Sequence, residues 1–200
     1  MHLPVVTRVL RLITVMLSVV ALTSVADAQR RSVNFDDTVP GSSGLSRLFG
    51  ASSSPIPRET VSYPVNHRPG TIVINTRERR LYLVIGNGQA LRYGIGVGRD
   101  GFSWSGVKHV SAKREWPDWT PPSQMLRRRP DLPHHMAGGP DNPLGARALY
   151  LGSSLYRIHG SNEPETIGQA VSSGCFRLTN EDVIDLYGRV PVGATVIVQH

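Results

Sequence analysis

Cysteine is almost absent: Cys175 is the only one in 200 residues. An internal disulfide is therefore excluded, and so is a cysteine-rich zinc site. The thiol is left as an intermolecular bridge, a buried inert group or a reactive one. Lysine is nearly as scarce, with Lys108 and Lys113 the only two among 22 basic residues. A membrane-length apolar run is missing as well. Leu12–Val25 is fourteen residues long, short of the roughly twenty that a spanning helix needs. Metal-ligand spacing is also lacking. His134-His135 with His109 imitates a cluster, but adjacent residues rarely point at one centre, and no Asp or Glu spacing completes a set. No metal and no cofactor is expected.

What stands at the N-terminus bears on the compartment. Arg8 and Arg11 precede the short apolar run, and Ala26-Asp27-Ala28 follows it as the small-x-small pattern cut by a signal peptidase. Residues 1–28 read as a signal peptide, with a retained anchor as the alternative. The protein is expected to be exported to the periplasm or cell wall, with no stable membrane span after cleavage. A formal charge of +7 suits nucleic acid, an anionic membrane or an anionic wall polymer, or serves solubility alone. Export removes nucleic acid from these.

Residues 29–69 are rich in Ser, Gly, Pro and Arg without an apolar period, and read as a flexible tether. The pattern changes at Gly70, and residues 70–200 are long enough for one core. Thr71–Asn75, Leu81–Val84 and Leu91–Val97 are strand-like, separated by Thr76–Arg80 and by a turn at Gly86-Asn87-Gly88. This spacing predicts an antiparallel meander in a sandwich or barrel. Glycines within the third strand predict a bulge or a close backbone approach. Asp100–Asn142, rich in proline and tryptophan, reads as a long functional loop, an active-site wall or lid. Gly145–Leu151 and Leu155–His159 return to strand composition. Thr179 caps a helix whose buried face is Val183, Ile184, Leu186 and Tyr187 and which Gly188 closes. Ala194–Val198 is a last strand.

The chemistry gathers at Ile158–Leu178. Cys175 sits among Ser172, Ser173 and Gly174, with His159 sixteen positions upstream and Gly160 after it. A thiol needs a base to attack at neutral pH, and a positioned imidazole is the usual one. If Ser173–Arg177 is extended, then Ser173, Cys175 and Arg177 share a face. Arg177 would then lower the thiol pKa and offer a fork for a substrate carboxylate. The N–H groups of Gly174 and Cys175 are candidates for an oxyanion hole. No acid is placed to orient His159, so the Gly160 carbonyl is the candidate acceptor for its second nitrogen.

His159-Gly160 followed by Ser173-Gly174-Cys175-Phe176-Arg177-Leu178, Thr179-Asn180-Glu181-Asp182-Val183 and the closing Val192–Val198 resembles the L,D-transpeptidase family of bacterial cell-wall enzymes, the YkuD-type catalytic domain. Thr71–Val84 and Asn142–Leu151 add to the resemblance, which covers about residues 70–199. Some members carry His-Gly-Cys where this chain has Ser173-Gly174-Cys175, which leaves the base role with His159. The resemblance implies a mostly β fold, a sandwich of mixed sheets with one or two short helices and a long Pro/Trp-rich loop. It implies peptidoglycan stem peptides as partners and Cys175 as nucleophile. Its other roles are His159 as base then acid, Gly160 as orienting carbonyl, Gly174 and Cys175 as oxyanion donors, and Ser173 and Arg177 as positioning residues. The acyl group would pass from the diamino acid–D-alanine bond to an amine, giving a 3→3 cross-link. Water as acceptor would make an L,D-carboxypeptidase or amidase, and a protein amine would attach an outer-membrane protein to the wall. A non-catalytic peptidoglycan-binding module is the reading from a different class.

Overall fold

The computed structural model describes residues 54–200; the signal-peptide reading of 1–28 and the tether reading of 29–53 lie outside the described residues. The β-branched run becomes β2 (Ile72–Asn75), buried on both faces at Ile72, Val73 and Ile74. Such burial needs cover over each face: Ile72 and Ile74 join the main core, and Val73 a second cluster with Tyr82, Val84 and Ala90. β2 runs antiparallel to β3 (Arg80–Gly86) and parallel to β11 (Thr195–Gln199). β3 turns through Gly86, Asn87 and Gly88 at φ of 95°, 53° and 68° into β4 (Gln89–Gly94), so the expected meander forms.

β4 ends at Gly94, earlier than the expected Val97, for a reason that shapes the whole fold. Gly96 exchanges two backbone hydrogen bonds with Arg177, each 2.9 Å. A Cβ at Gly96 would lie 3.1 Å from the Thr166 carbonyl oxygen and 3.3 Å from Arg177 Cβ. The glycine thus permits the close approach expected of it, and β5 (Val97–Gly98) departs to pair with β9 (Ala170–Ser172).

The second half is built on β6 (Gly106–Glu115), β7 (Arg147–Leu151), β8 (Arg157–His159) and β10 (Phe176–Arg177). With β1 (Glu59–Ser62) the main sheet runs β1-β4-β3-β2-β11-β6-β7-β8-β10. It is mixed, and its two halves fold over one core. Ile72, Leu81 and Tyr93 from the first half meet Leu149, Ile158 and Phe176 from the second. The helix α2 (Asn180–Arg189) adds Val183 and Leu186 to that core. The fold is thus mostly β, a sandwich of mixed sheets with few helices. A short helix α1 (Ser123–Arg128) interrupts the long loop. Among the described residues no helix is long and apolar enough to cross a membrane.

Four expectations change. Gly106–Glu115, read as part of the loop, is a ten-residue interior strand between β11 and β7. Only Val110 on it is buried, so its place comes from backbone pairing on both sides rather than from an apolar pattern. Glu59–Ser62, read as tether, is an edge strand on β4. The preceding residues dock too: Ile56 packs against Gly94 and Gly168, and Arg58 bridges Asp185 at 3.2 Å and Asp182 at 3.5 Å. Thr179 caps α2 as expected, accepting from the Asp182 N–H at 3.2 Å, but Ile184 faces solvent. Gly188 lies within the helix, whose cap is Val190.

Candidate active site

Two short parallel strands set the site. β8 and β10 pair Ile158 with Phe176 and His159 with Arg177. Ile158, Phe176 and the following Leu178 are fully buried, each contributing about 1.5–3 kcal/mol, and this fixes the register. The alternate residues then face the other way. Arg157 and His159 on β8, and Cys175 and Arg177 on or beside β10, line one cleft of about 690 Å³. Extending the register back one step sets Cys175 beside Arg157, with His159 on the diagonal. From Ser172 to Leu178 burial alternates residue by residue, so Ser173, Cys175 and Arg177 share the face expected of them. The opposite wall comes from the long loop, through Trp119, Met125, Leu132 and Met136.

The imidazole is held in one state. His159 is buried, and Nδ1 lies 2.6 Å from the Gly160 carbonyl oxygen. A carbonyl only accepts, so Nδ1 carries the proton and Nε2 is left as acceptor. Burial drives the imidazole pKa down to about 3, against the Gly160 carbonyl, which favours the charged form; Arg177 and Arg157 lower it further. Gly160 has no room for a side chain. Its Cβ would press on Asn180 Oδ1, which accepts from the Ala146 N–H at 2.8 Å, and would lie 3.0 Å from that nitrogen.

Cys175 is half-buried and its thiol points to the Leu155 carbonyl at 3.7 Å. Burial pushes the thiol pKa up; Arg157 pulls it back, by charge and by hydrogen bonding, and Arg177 does so less. Arg177 thus lowers the pKa as expected, but the net direction is upward because desolvation outweighs both cations. At neutral pH the pair therefore rests as thiol and neutral imidazole. The proton has an acceptor in Nε2 once the sulfur is drawn into attack.

The turn before the thiol is braced on three sides. Ser172 Oγ donates to the Cys175 carbonyl at 2.6 Å and accepts from the Gly174 N–H at 3.1 Å. Trp104 Nε1 donates to the Gly174 carbonyl at 2.9 Å, and the indole stacks on Tyr156 at 4.6 Å. The Gly174 N–H, one of the two donors expected for an oxyanion, is thus already engaged by Ser172 Oγ. Ser173 lines the cleft. Arg177 Nη1 donates to Glu163 Oε2 at 2.8 Å and lies 3.5 Å from Thr166 Oγ1, so this guanidinium ties β10 to the 3-10 turn at Pro164–Thr166.

A buried imidazole on β8 and a half-buried thiol beside β10 line one cleft, and comparison with known families places the chain. Residues 69–198 match the model of the YkuD family, the L,D-transpeptidase catalytic domain. The chain belongs to that family. It is 40% identical over 150 residues to the probable L,D-transpeptidase ErfK/SrfK of Escherichia coli, an alignment covering 70% of this chain and 47% of that protein. The chain spans about half the length of the curated relatives it matches. An L,D-transpeptidase structure from Mycobacterium smegmatis shares the fold at a TM-score of 0.53 and 18% identity, over 65% of this chain and 58% of its own. A Brucella melitensis structure described as a probable carnitine operon oxidoreductase is 44% identical, covering 74% of this chain and 97% of its own, at a TM-score of 0.50. That description differs in activity while the family match over residues 69–198 does not depend on it.

Sequence reasoning missed Arg157, Ser172 and Trp104. The first carried a signal, since Arg157 is two residues before His159 in a strand-like run and so shares its face. The other two act through backbone atoms and leave no side-chain pattern to read. Of the histidines weighed for a metal, His135 lies 3.6 Å from Asp118 on the loop, while His109 is on β6. Among the described residues no group of three His, Cys, Asp or Glu side chains gathers to hold an ion.

Proposed function

We propose that the chain is an exported, cysteine-dependent peptidoglycan L,D-transpeptidase. Cys175 attacks the carbonyl between the diamino acid and the terminal D-alanine of a stem tetrapeptide. The S–H proton passes to His159 Nε2, the S–C bond forms, and the Cys175 N–H donates to the developing oxyanion. The C–N bond then breaks, the proton is handed to the departing D-alanine amine, and a thioester remains. The side-chain amine of a second stem, deprotonated by the now neutral His159, attacks the thioester. The 3→3 amide forms and the thiol is regenerated. In this scheme Gly160 orients the imidazole, while Gly174, Ser173 and Arg177 position the loop and the strand that carry the sulfur.

The observation that supports this reading most is the His159 Nδ1–Gly160 contact of 2.6 Å, which leaves the second ring nitrogen free as a base in the cleft that Cys175 lines. Family membership supports the same chemistry. A signal peptide at 1–28, a tether after it and a catalytic domain to residue 200 complete the proposal. The test is incubation with a disaccharide-tetrapeptide and mass analysis of products. A 3→3 dimer with release of D-alanine is expected. A shortened monomer alone assigns water as acceptor, as in a carboxypeptidase; transfer only to a protein amine assigns protein attachment. An unchanged substrate assigns a binding module.

A further inference from the structure

Of the two arginines that face the cleft from β8 and β10, one is committed and one is not. Arg177 is paired with Glu163. Arg157 makes no ion pair among the described residues, and its Nε, like that of Arg177, is buried without a hydrogen-bond partner; the ion pair is what separates the two. A half-buried guanidinium with one buried, unmet donor stands ready for an anionic acceptor. Its position is held from behind, with the guanidinium over the Tyr150 ring at 5.2 Å and Tyr150 paired with Arg157 across β7 and β8. Its place beside the sulfur follows from the β8–β10 register.

We propose that Arg157 is a substrate-binding residue that takes the terminal carboxylate of the donor stem and so selects donors ending one residue past the bond attacked. This rests on the reading of Cys175 as the acyl-accepting nucleophile. Bond lengths carry the argument: the carboxylate carbon of the last residue is within about 4 Å of the carbonyl carbon that precedes it. A group that touches the attacking sulfur is therefore within reach of that carboxylate and of little else on the leaving side. Arg128, the other cleft arginine without an ion pair among the described residues, stacks on Phe102 at 5.3 Å and belongs to the far wall.

The test compares a stem tetrapeptide with its C-terminal carboxamide, as kcat/KM for D-alanine or D-alaninamide release. The wild type is expected to prefer the free carboxylate by about 10–100-fold, the range for losing a charge-assisted pair. Arg157→Met is expected to bring that preference to within about threefold of unity, mostly through KM for the acid, while Arg128→Met retains it. A ratio of two donors is insensitive to general damage, because misfolding lowers both alike. Arg157→Lys, which keeps the charge without the fork, is expected to retain part of the preference and serves should Arg157→Met not fold. An unchanged preference in the Arg157 variants overturns the assignment, as does a wild type that uses both donors equally. Release from neither donor overturns the transpeptidase reading as well.

Discussion

Replacing Gly174 by alanine isolates the turn that aims the thiol. Gly174 has φ of +104°, a conformation that side chains resist at a cost of about 1–3 kcal/mol. The new methyl would also lie 2.6 Å from Tyr156 Cε1 and 3.2 Å from the Phe102 carbonyl oxygen. Tyr156 cannot swing freely, because Trp104 stacks on it. Overpacking of this kind adds about 1–3 kcal/mol, so Gly174→Ala is expected to lose about 2–6 kcal/mol of stability. The strain falls on the Trp104 and Ser172 bonds to Gly174, one residue from the sulfur, and a displacement of about 1 Å there lowers the acylation rate about a hundredfold. Urea denaturation reads the first effect and stopped-flow acylation the second. Gly188→Ala is the control. Nothing lies within 4 Å of its added methyl, and within α2 it is expected to gain about 0.5–1 kcal/mol. A Gly174→Ala protein that matches the wild type in urea midpoint and in acylation rate refutes the reasoning.

Two further outcomes follow from the electrostatics. His159 has a folded pKa of about 3, below the ordinary 6.5, so the unfolded chain binds the extra proton first. Its contribution is full above 6.5 and is lost as pH falls toward 3, about 2 kcal/mol between pH 7 and pH 5. Unfolding free energies from urea denaturation of wild type and His159→Gln are expected to converge by that amount over this interval; a constant difference contradicts the buried neutral imidazole. Arg58→Ala removes the partner of Asp182, whose carboxyl burial already pushes upward in pKa. A loss of about 1–3 kcal/mol in urea denaturation is expected, and no change would detach residues 54–62 from the folded unit.

Much of the site was legible because its signals are local. A single thiol, a His-Gly pair and a Thr-capped helix each need only a few neighbouring residues. The meander was legible from β-branched runs and a Gly-Asn-Gly turn. β6 was not, since Lys108, His109, Ser111 and Lys113 deny it an apolar face and its partners lie far away in sequence at β11 and β7. β1 is a four-residue edge strand with three exposed residues, which composition does not distinguish from a tether. Arg177 lowers the Cys175 thiol pKa as read, but burial, a property of the packed fold, outweighs it. The spacing to His159 put Arg157 on the right face, but its place beside Cys175 follows only from the β8–β10 register, which no single stretch of sequence encodes.

The central claim is that Cys175 accepts the acyl group with His159 as its base. Intact-mass measurement after exposure to a carbapenem, whose strained amide traps an attacking thiol, tests it most directly. One adduct per chain is expected on the wild type, located at Cys175, absent from Cys175→Ala and slowed severely in His159→Gln at pH 7. An equal adduct on Cys175→Ala, with the fold intact, would contradict the account.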